Sequence, residues 1–281
     1  MSKFDKVYLD LCEEILSEGV YSQNRTGTPT YNVHGKHLKF NLSEEFPILT
    51  TKFVAFKHSV LEMLWIFQKA SNDVKWLQER GITIWDEWQI DENGMYNGKN
   101  YGREFAGTIG TAYGYIVNKY NLMQKAIDTI KNNPSDRRNI VNLFQYETLE
   151  GGTLPPCVYM HQWLVNEDKL DIIVYQRSCD VPLGFPFNVT QYAVLANLVA
   201  QVTGYKPGTM YWNIGSCHIY ENQIEGIKLQ LSRKSEAKPA PKLWINSEIS
   251  DFWAFDNSKE LKDIKLIGYE HLGKIAMPVS V

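Results

Sequence analysis

Two apolar runs within residues 159–175 are separated only by the polar tetrad Asn166-Glu167-Asp168-Lys169, with Trp163, Leu164 and Val165 before it and Leu170, Ile172, Ile173 and Val174 after it. This pattern predicts two strands joined by a tight turn. A hairpin brings its two ends together, and here the ends carry Leu154-Pro155-Pro156-Cys157-Val158 and Gln176-Arg177-Ser178-Cys179-Asp180. Cys157 and Arg177 are therefore expected at one end of a sheet. A guanidinium beside a thiol favours the thiolate and lowers the thiol pKa, which makes Cys157 readable as an activated nucleophile. The plainer reading is that a lone cysteine is a small buried apolar residue. Pro155 and Pro156 cannot donate to a ladder, so they suit an exposed approach to a strand rather than a strand interior.

Around this hairpin the chain mixes helical and strand patterns. Phe4, Val7, Tyr8, Leu11, Cys12, Ile15 and Leu16 recur at helical spacing, and Gly19 stands where such a helix would stop. Asn24-Arg25-Thr26-Gly27-Thr28-Pro29 is a polar loop that suits either a solvated turn or a cover for a phosphate. Residues 31–42 alternate like strands with a turn at His34-Gly35. Segment 57–69 is strongly apolar but contains Glu62, and a buried carboxylate needs a partner or a proton, so a structural and a general-acid role stand side by side. Trp85 and Trp88 flank Asp86 and Glu87, and residues 89–112 read as a long loop. Residues 122–131 form an amphipathic helical pattern ended by Asn132-Asn133-Pro134. Arg137 and Arg138 then precede a strand at 140–144 and are either solvated or phosphate ligands. Residues 183–188 are expected as a rigid loop leading to a helix over 189–202, with Asn188 as a possible cap. A strand over 211–220 sets His218 and Tyr220 on one face, and an amphipathic segment covers 219–232. Further strands are expected before an apolar tail at 275–281.

With 281 residues, 44% of them hydrophobic, the chain suits one large domain spanning 1–281. A net charge of -3 argues against broad nucleic-acid binding but allows a local basic pocket. Four cysteines at 12, 157, 179 and 217 have no metal-type spacing. We expect reduced thiols, no metal, no membrane span and a cytoplasmic location.

Taken together, Asn24-Arg25-Thr26-Gly27-Thr28, Leu61-Glu62-Met63-Leu64-Trp65, Ile84-Trp85-Asp86-Glu87-Trp88, Arg137-Arg138, Pro155-Pro156-Cys157, Gln176-Arg177-Ser178-Cys179-Asp180-Val181, Phe187-Asn188 and His218-Ile219-Tyr220 resemble the flavin-independent thymidylate synthase family. The resemblance implies an α+β fold, a twisted mixed β-sheet packed against helices and forming a homodimer interface. It implies reductive methylation of dUMP to dTMP with 5,10-methylenetetrahydrofolate as a co-substrate, without a metal or DNA. Cys157 would attack C6 of the uracil ring. Arg25, Arg177 and Ser178 would hold the phosphate, joined by Arg137 and Arg138 from a second subunit. Asn188 would read the uracil edge, where the related deoxycytidylate hydroxymethylases carry Asp. His218 and Tyr220 would bind the sugar, while Glu62 and Tyr113 would move protons through water. Lys52, Ile84, Trp85, Trp88, Asp180, Leu183, Gly184, Phe187 and Ser280 would form the folate site, closed by the C-terminal tail.

Several positions depart from the family pattern. Val158 follows the nucleophile where many members carry His or Asn, Ser216 stands where Asp is usual, Ala55 lies where some members have His, and 115–121 lacks a Gln-Trp-Arg run. Two other readings compete. A dUMP hydroxymethylase would admit water in place of hydride, against which Trp85 and the apolar tail argue. A non-catalytic nucleotide- or RNA-binding regulator would have no use for Cys157, Glu62, Tyr113 and Asn188 together.

Overall fold

In the computed structural model, which describes residues 1–280, the chain runs α1 (Lys3–Glu18), β1 (Val20–Ser22), β2 (Thr30–Asn41), α2 (Phe56–Phe67), α3 (Val74–Gln78), β3 (Met95–Tyr96), β4 (Lys99–Asn100), α4 (Gly114–Tyr120), α5 (Leu122–Asn132), β5 (Ile140–Asn142), α6 (Tyr146–Leu149), β6 (Val158–Asn166), β7 (Lys169–Asp180), α7 (Gly184–Thr203), β8 (Lys206–Tyr220), α8 (Ile224–Ser232), β9 (Lys242–Ile245) and β10 (Ile264–Ile267). Six strands form one sheet in the order β1-β2-β8-β7-β6-β5. The pair β7–β8 is parallel and the other neighbours are antiparallel, so the sheet is mixed. A parallel pair needs a long crossover, and α7 supplies it. The fold is α+β.

Strand alternation decides which face α7 covers. On β7, Leu170, Ile172, Val174 and Gln176 are buried, while Asp171, Ile173 and Tyr175 between them are half-buried. Met210, Trp212 and Ile214 continue the buried set on β8. Against them lies α7, itself buried along Phe185, Val189, Ala193, Leu195 and Val199, and α2 packs on α7 from outside. Each large side chain buried in this layer contributes about 1.5–3 kcal/mol. Glu62 on α2 and Asn188 on α7 are thereby held on two helices that touch.

The hairpin forms as its pattern predicts, with Asn166 paired to Lys169 and Glu167 turning at φ +55°. Three expectations need correction. The turn at His34-Gly35 is absent: β2 runs through it, pairing with β8 in one register from Thr30 to Asn41, and Gly35 takes φ +69° within the strand. A 15-residue partner strand offers a continuous ladder, which a single flexible glycine does not interrupt. Residues 184–188 are not loop, because α7 starts at Gly184; Pro186 sits in the first turn, where its missing N–H costs nothing. Asn188 is therefore a second-turn residue and not a cap. The amphipathic segment at 219–232 is strand up to Tyr220, a short turn at Glu221–Gln223 and helix from Ile224. Residues 89–112 are mostly loop and include the two-residue strands β3 and β4. Residues 271–280 carry no regular structure, and Val281, the end of the expected tail, lies outside the described residues.

Candidate active site

Cys157 is the last residue before β6, and β7 returns Arg177 to it. The Arg177 backbone N–H donates to the Cys157 carbonyl at 2.9 Å. Its guanidinium donates through Nε to Pro156 O at 2.9 Å and through Nη2 to Pro155 O at 2.8 Å, and Nη2 lies 3.9 Å from Cys157 Sγ. The two prolines thus present their carbonyls to the arginine that reaches the thiol. The expected direction of the thiol shift is reversed, however: burial pushes the Cys157 thiol up, and Arg177 and Arg25 oppose that only in part. Without ligand the sulfur is held as a thiol at neutral pH.

Cys157 opens into a cavity of about 410 Å³. Glu62, Tyr113, Asn188 and Phe187 line it, as do Ile84, Trp85, Trp88, Leu183, Gly184 and Val279. Trp85 packs edge-on against both Trp88 at 5.6 Å and Tyr113 at 5.3 Å. Tyr113 has φ +47°, a conformation that costs about 1–3 kcal/mol for such a residue. Gly114 explains part of it, since a Cβ there would stand 2.0 Å from the Ser71 carbonyl oxygen. The strained turn aims the phenol at the nucleophile, where its oxygen accepts the Cys157 backbone N–H at 3.2 Å. Burial keeps that phenol protonated, well above its ordinary range.

Glu62 has two partners, and its proton is held up to about neutral pH. Trp85 Nε1 donates to its Oε1 at 2.6 Å and Gln191 Nε2 donates to its Oε2. Burial raises its pKa to about 7 against both of these bonds, which places it where a general acid or base works best.

A line of amides joins Glu62 to the sheet. Trp212 Nε1 donates to Gln176 Oε1 at 2.9 Å, Gln176 Nε2 to Asn188 Oδ1 at 3.3 Å, and Asn188 Nδ2 to Gln191 Oε1 at 3.1 Å, before Gln191 reaches Glu62. An indole N–H can only donate, and Gln176 Nε2 also donates to the Ser178 carbonyl at 3.1 Å, so Trp212 and Ser178 together set the direction of every bond that follows. Asn188 consequently keeps one free amide hydrogen and one free carbonyl lone pair, in a fixed sense.

The other expected residues lie around this centre. Asp180 at the end of β7 accepts from Leu183 N–H at 3.1 Å and from Gln223, and burial raises it to about 6. His218 and Tyr220 stand edge-on at 5.2 Å, and burial lowers His218 to about 4, a neutral imidazole. Ser178 pairs with Ser216 across the parallel strands. Lys52 is buried, donates to Pro182 O and is lowered by burial to about 8, so its ammonium is spent on the backbone ahead of α7. Ser280 Oγ accepts from Asn222 at 3.5 Å. Arg177 lines a second hollow of about 640 Å³ on the open face of the sheet, with Tyr159, Tyr175 and Asn213. Arg25 is exposed near Cys157. Arg137 and Arg138 are exposed too and line neither hollow. Arg137 is anchored through its carbonyl to Gln162 of β6, roughly 15 Å along the strand from Cys157. Among the described residues, no group of three or more His, Cys, Asp or Glu is arranged to hold a metal, and no helix is long and apolar enough to cross a membrane.

The family model described as thymidylate synthase matches residues 6–281. The thymidylate synthase of Clostridium beijerinckii is 49% identical over the full length of both chains, and thymidylate synthase 1 of Bacillus subtilis strain 168 is 41% identical, again over both full lengths. The solved structure of the thermostable thymidylate synthase A from Bacillus subtilis superposes with a TM-score of 0.88 at 39% identity, covering 99% of each chain. This chain belongs to the thymidylate synthase family. It is a methyltransferase by that membership, and the relatives carry the synthase name, which leaves the hydroxymethylase alternative without support.

Within this thymidylate synthase fold, the sequence reading missed Gln176, Gln191 and Trp212 as members of the amide line, and Gln223 behind Asp180. Glutamines at ordinary positions of helices and strands carry no motif. The one available signal was a glutamine three residues after Asn188, one helical turn away on the same face. Of the departures from the family pattern, Val158 is buried against the cavity, so the wall beside the nucleophile is apolar. Ser216 Oγ bonds Asn32 at 3.4 Å, inside the sheet.

Proposed function

We propose that this chain catalyses reductive methylation of dUMP to dTMP, with 5,10-methylenetetrahydrofolate as co-substrate, through a covalent bond between Cys157 Sγ and C6 of the uracil. One observation carries the reading: a half-buried thiol, a carboxyl tuned to about 7 and an asparagine of fixed amide sense line one cavity. Uracil presents an acceptor at O4 beside a donor at N3, which complements the free hydrogen and free lone pair of Asn188. Cytosine presents the reverse, and Asn188 cannot turn over without breaking the bonds that begin at Trp212.

As the thiol adds to C6, its proton passes to solvent, the nearby Arg177 favouring the thiolate, and the ring's electron pair moves to C5 and O4. Glu62, through water, donates toward O4 and then toward the departing nitrogen. Tyr113 holds the water that takes the proton from C5. Hydride added to the methylene carbon now bonded to C5 returns an electron pair to the ring, so that Cys157 leaves C6 as thiolate and the C5–C6 double bond is restored. Reduced folate supplies the methylene carbon and the hydride. The aromatic walls Trp85, Trp88 and Phe187, with Ile84, Leu183 and Gly184, fit its flat ring system, and buried Asp180 fits its polar edge. Lys52 and Ser280 stand at the margins of that site.

Arg25, Arg177 and Ser178 hold the phosphate in this reading, with His218 and Tyr220 on the sugar. Arg137 and Arg138 serve a neighbouring copy across the open sheet face, making each site shared in a homodimer. The half-buried Tyr159, Ile173, Tyr175 and Tyr211 on that face support such a contact. Incubation with dUMP and the folate tests the reaction. Dihydrofolate, seen by its near-ultraviolet absorbance, is the expected product, and release of tetrahydrofolate without that rise would overturn the reductive reading.

A further inference from the structure

Gln223 is completely buried at the turn between β8 and α8, and every polar atom of its side chain is used. Its Oε1 accepts the Tyr220 backbone N–H at 3.1 Å. Its Nε2 donates to the Asp180 carboxylate, at 3.2 Å and 3.3 Å to the two oxygens, and to the Pro278 carbonyl at 3.0 Å. Because a backbone N–H can only donate and a backbone carbonyl can only accept, the amide has one possible orientation. Three parts of the site meet in this group: the strand bearing His218 and Tyr220, the carboxylate read as facing the folate, and the C-terminal segment whose Val279 lines the cavity.

The same stretch of chain receives the tail a second time. Gly226 lies one residue into the second half of the first turn of α8, and a Cβ there would stand 2.8 Å from Met277 Sδ. The bare glycine leaves room for Met277, which is buried. Between Gln223 and Gly226 the tail is thus held by one polar and one apolar contact, and only the polar one is shared with the site.

We propose that Gln223 is a positioning residue that couples tail closure to the folate pocket, holding Pro278 down with one amide hydrogen while the other orients Asp180. This rests on the folate-dependent reading of the pocket. Loss of the amide removes the polar tie at Pro278, leaving the tail to Met277 beside Gly226 and to the long Asn222–Ser280 bond, and leaves Asp180 with Leu183 N–H as its remaining donor, while the uracil-facing group of Cys157, Glu62 and Asn188 is untouched. A hydrogen bond to a charged group and one to a buried carbonyl together support a rise of roughly tenfold or more in KM for the folate, with KM for dUMP changed by no more than about twofold.

The test uses full-length wild type, Gln223→Met and Gln223→Glu, the last retaining the acceptor for Tyr220 N–H but neither donor. Each is combined with 5-fluoro-dUMP and methylenetetrahydrofolate and exposed to carboxypeptidase, with loss of C-terminal residues read by mass spectrometry, alongside KM values and thermal midpoints. The expected result is a protected tail in wild type, a digested tail and a raised folate KM in both variants, and a near-normal dUMP KM in Gln223→Glu, which keeps the Tyr220 contact. Protected tails with a wild-type folate KM would overturn the proposal. Equal loss of both substrates with a lowered midpoint would also overturn it, by making Gln223 merely structural. Wild type that forms no covalent complex would instead overturn the folate reading itself, and is recognised by its failure before any substitution.

Discussion

The ring end and the phosphate end of the candidate site are built differently. At the ring end, α2, α7, β6 and β7 bury Glu62, Tyr113 and Gln191, and nearly every polar atom has a partner within the chain. At the phosphate end, Arg25 is exposed, Arg177 is fastened to the proline carbonyls, and Arg137 and Arg138 stand in solvent on a distant edge of the sheet. On the proposed function, a single chain prepares the chemistry of a pyrimidine ring but leaves a dianion only partly neutralised, and a second copy would complete the phosphate end.

Breaking the ring end has the larger effect. Glu62→Gln is expected to lower kcat by roughly 10²–10⁴, because it removes a proton donor tuned to the working pH. The same substitution has a signature in stability. The folded Glu62 carboxyl keeps its proton up to about pH 7, whereas the unfolded one loses it near its ordinary value of 4.5. The native state thus binds more protons across that window, so Glu62 makes stability fall as pH rises from about 4.5 to 7, by something of the order of 2 kcal/mol. Denaturant melts at the two pH values should show that slope in wild type and a shallower one in the variant.

Breaking the phosphate end is expected to cost about 10²-fold in kcat/KM for Arg138→Ala, and here mixing sharpens the contrast. Combined with inactive Cys157→Ala, an inactive arginine variant should regain activity as subunits exchange, since one mixed site is intact. Ring-end variants mixed with one another should regain none. Trp212→Phe touches neither substrate, yet it removes one of the two groups that fix the sense of Gln176 and, through it, of Asn188. Preference for dUMP over dCMP should fall by roughly tenfold while the fold survives. The smallest effect lies beneath the ring end, where His161 is buried with both ring nitrogens unpartnered against Phe67, Trp163 and Tyr192. Burial lowers its pKa to about 3, so its contribution to stability is lost as pH falls below about 6.5. His161→Phe should raise stability by about 1–2 kcal/mol near neutral pH and by more at pH 5.

The hairpin and the Cys157–Arg177 juxtaposition were legible because alternation and turn chemistry are local signals, whereas the mixed sheet was implied only by the family resemblance, since its parallel pair is a long-range contact. The apolar helix around Glu62 was legible too, although its partner Trp85 arrives from another segment. The start of α7 was misread because Gly184 and Pro186 look like loop residues, while Pro186 is harmless in a first turn. The sign of the Cys157 shift was misread for a different reason. Proximity to Arg177 can be foreseen from a hairpin, but the extent of burial depends on α4, the 154–156 loop and the cavity wall together. Gln176 and Gln223 were invisible because an amide's role depends on what it faces, and Gln191 was marked only by its spacing from Asn188.

The fate of the Cys157 sulfur can be measured directly. After incubation with 5-fluoro-dUMP and 5,10-methylenetetrahydrofolate, proteolysis and mass spectrometry should find nucleotide and folate together on the peptide containing Cys157, and on no other cysteine peptide. An unmodified Cys157 peptide from protein that still turns over dUMP, or an adduct at Cys12, Cys179 or Cys217, would contradict the assignment of Cys157 as the nucleophile.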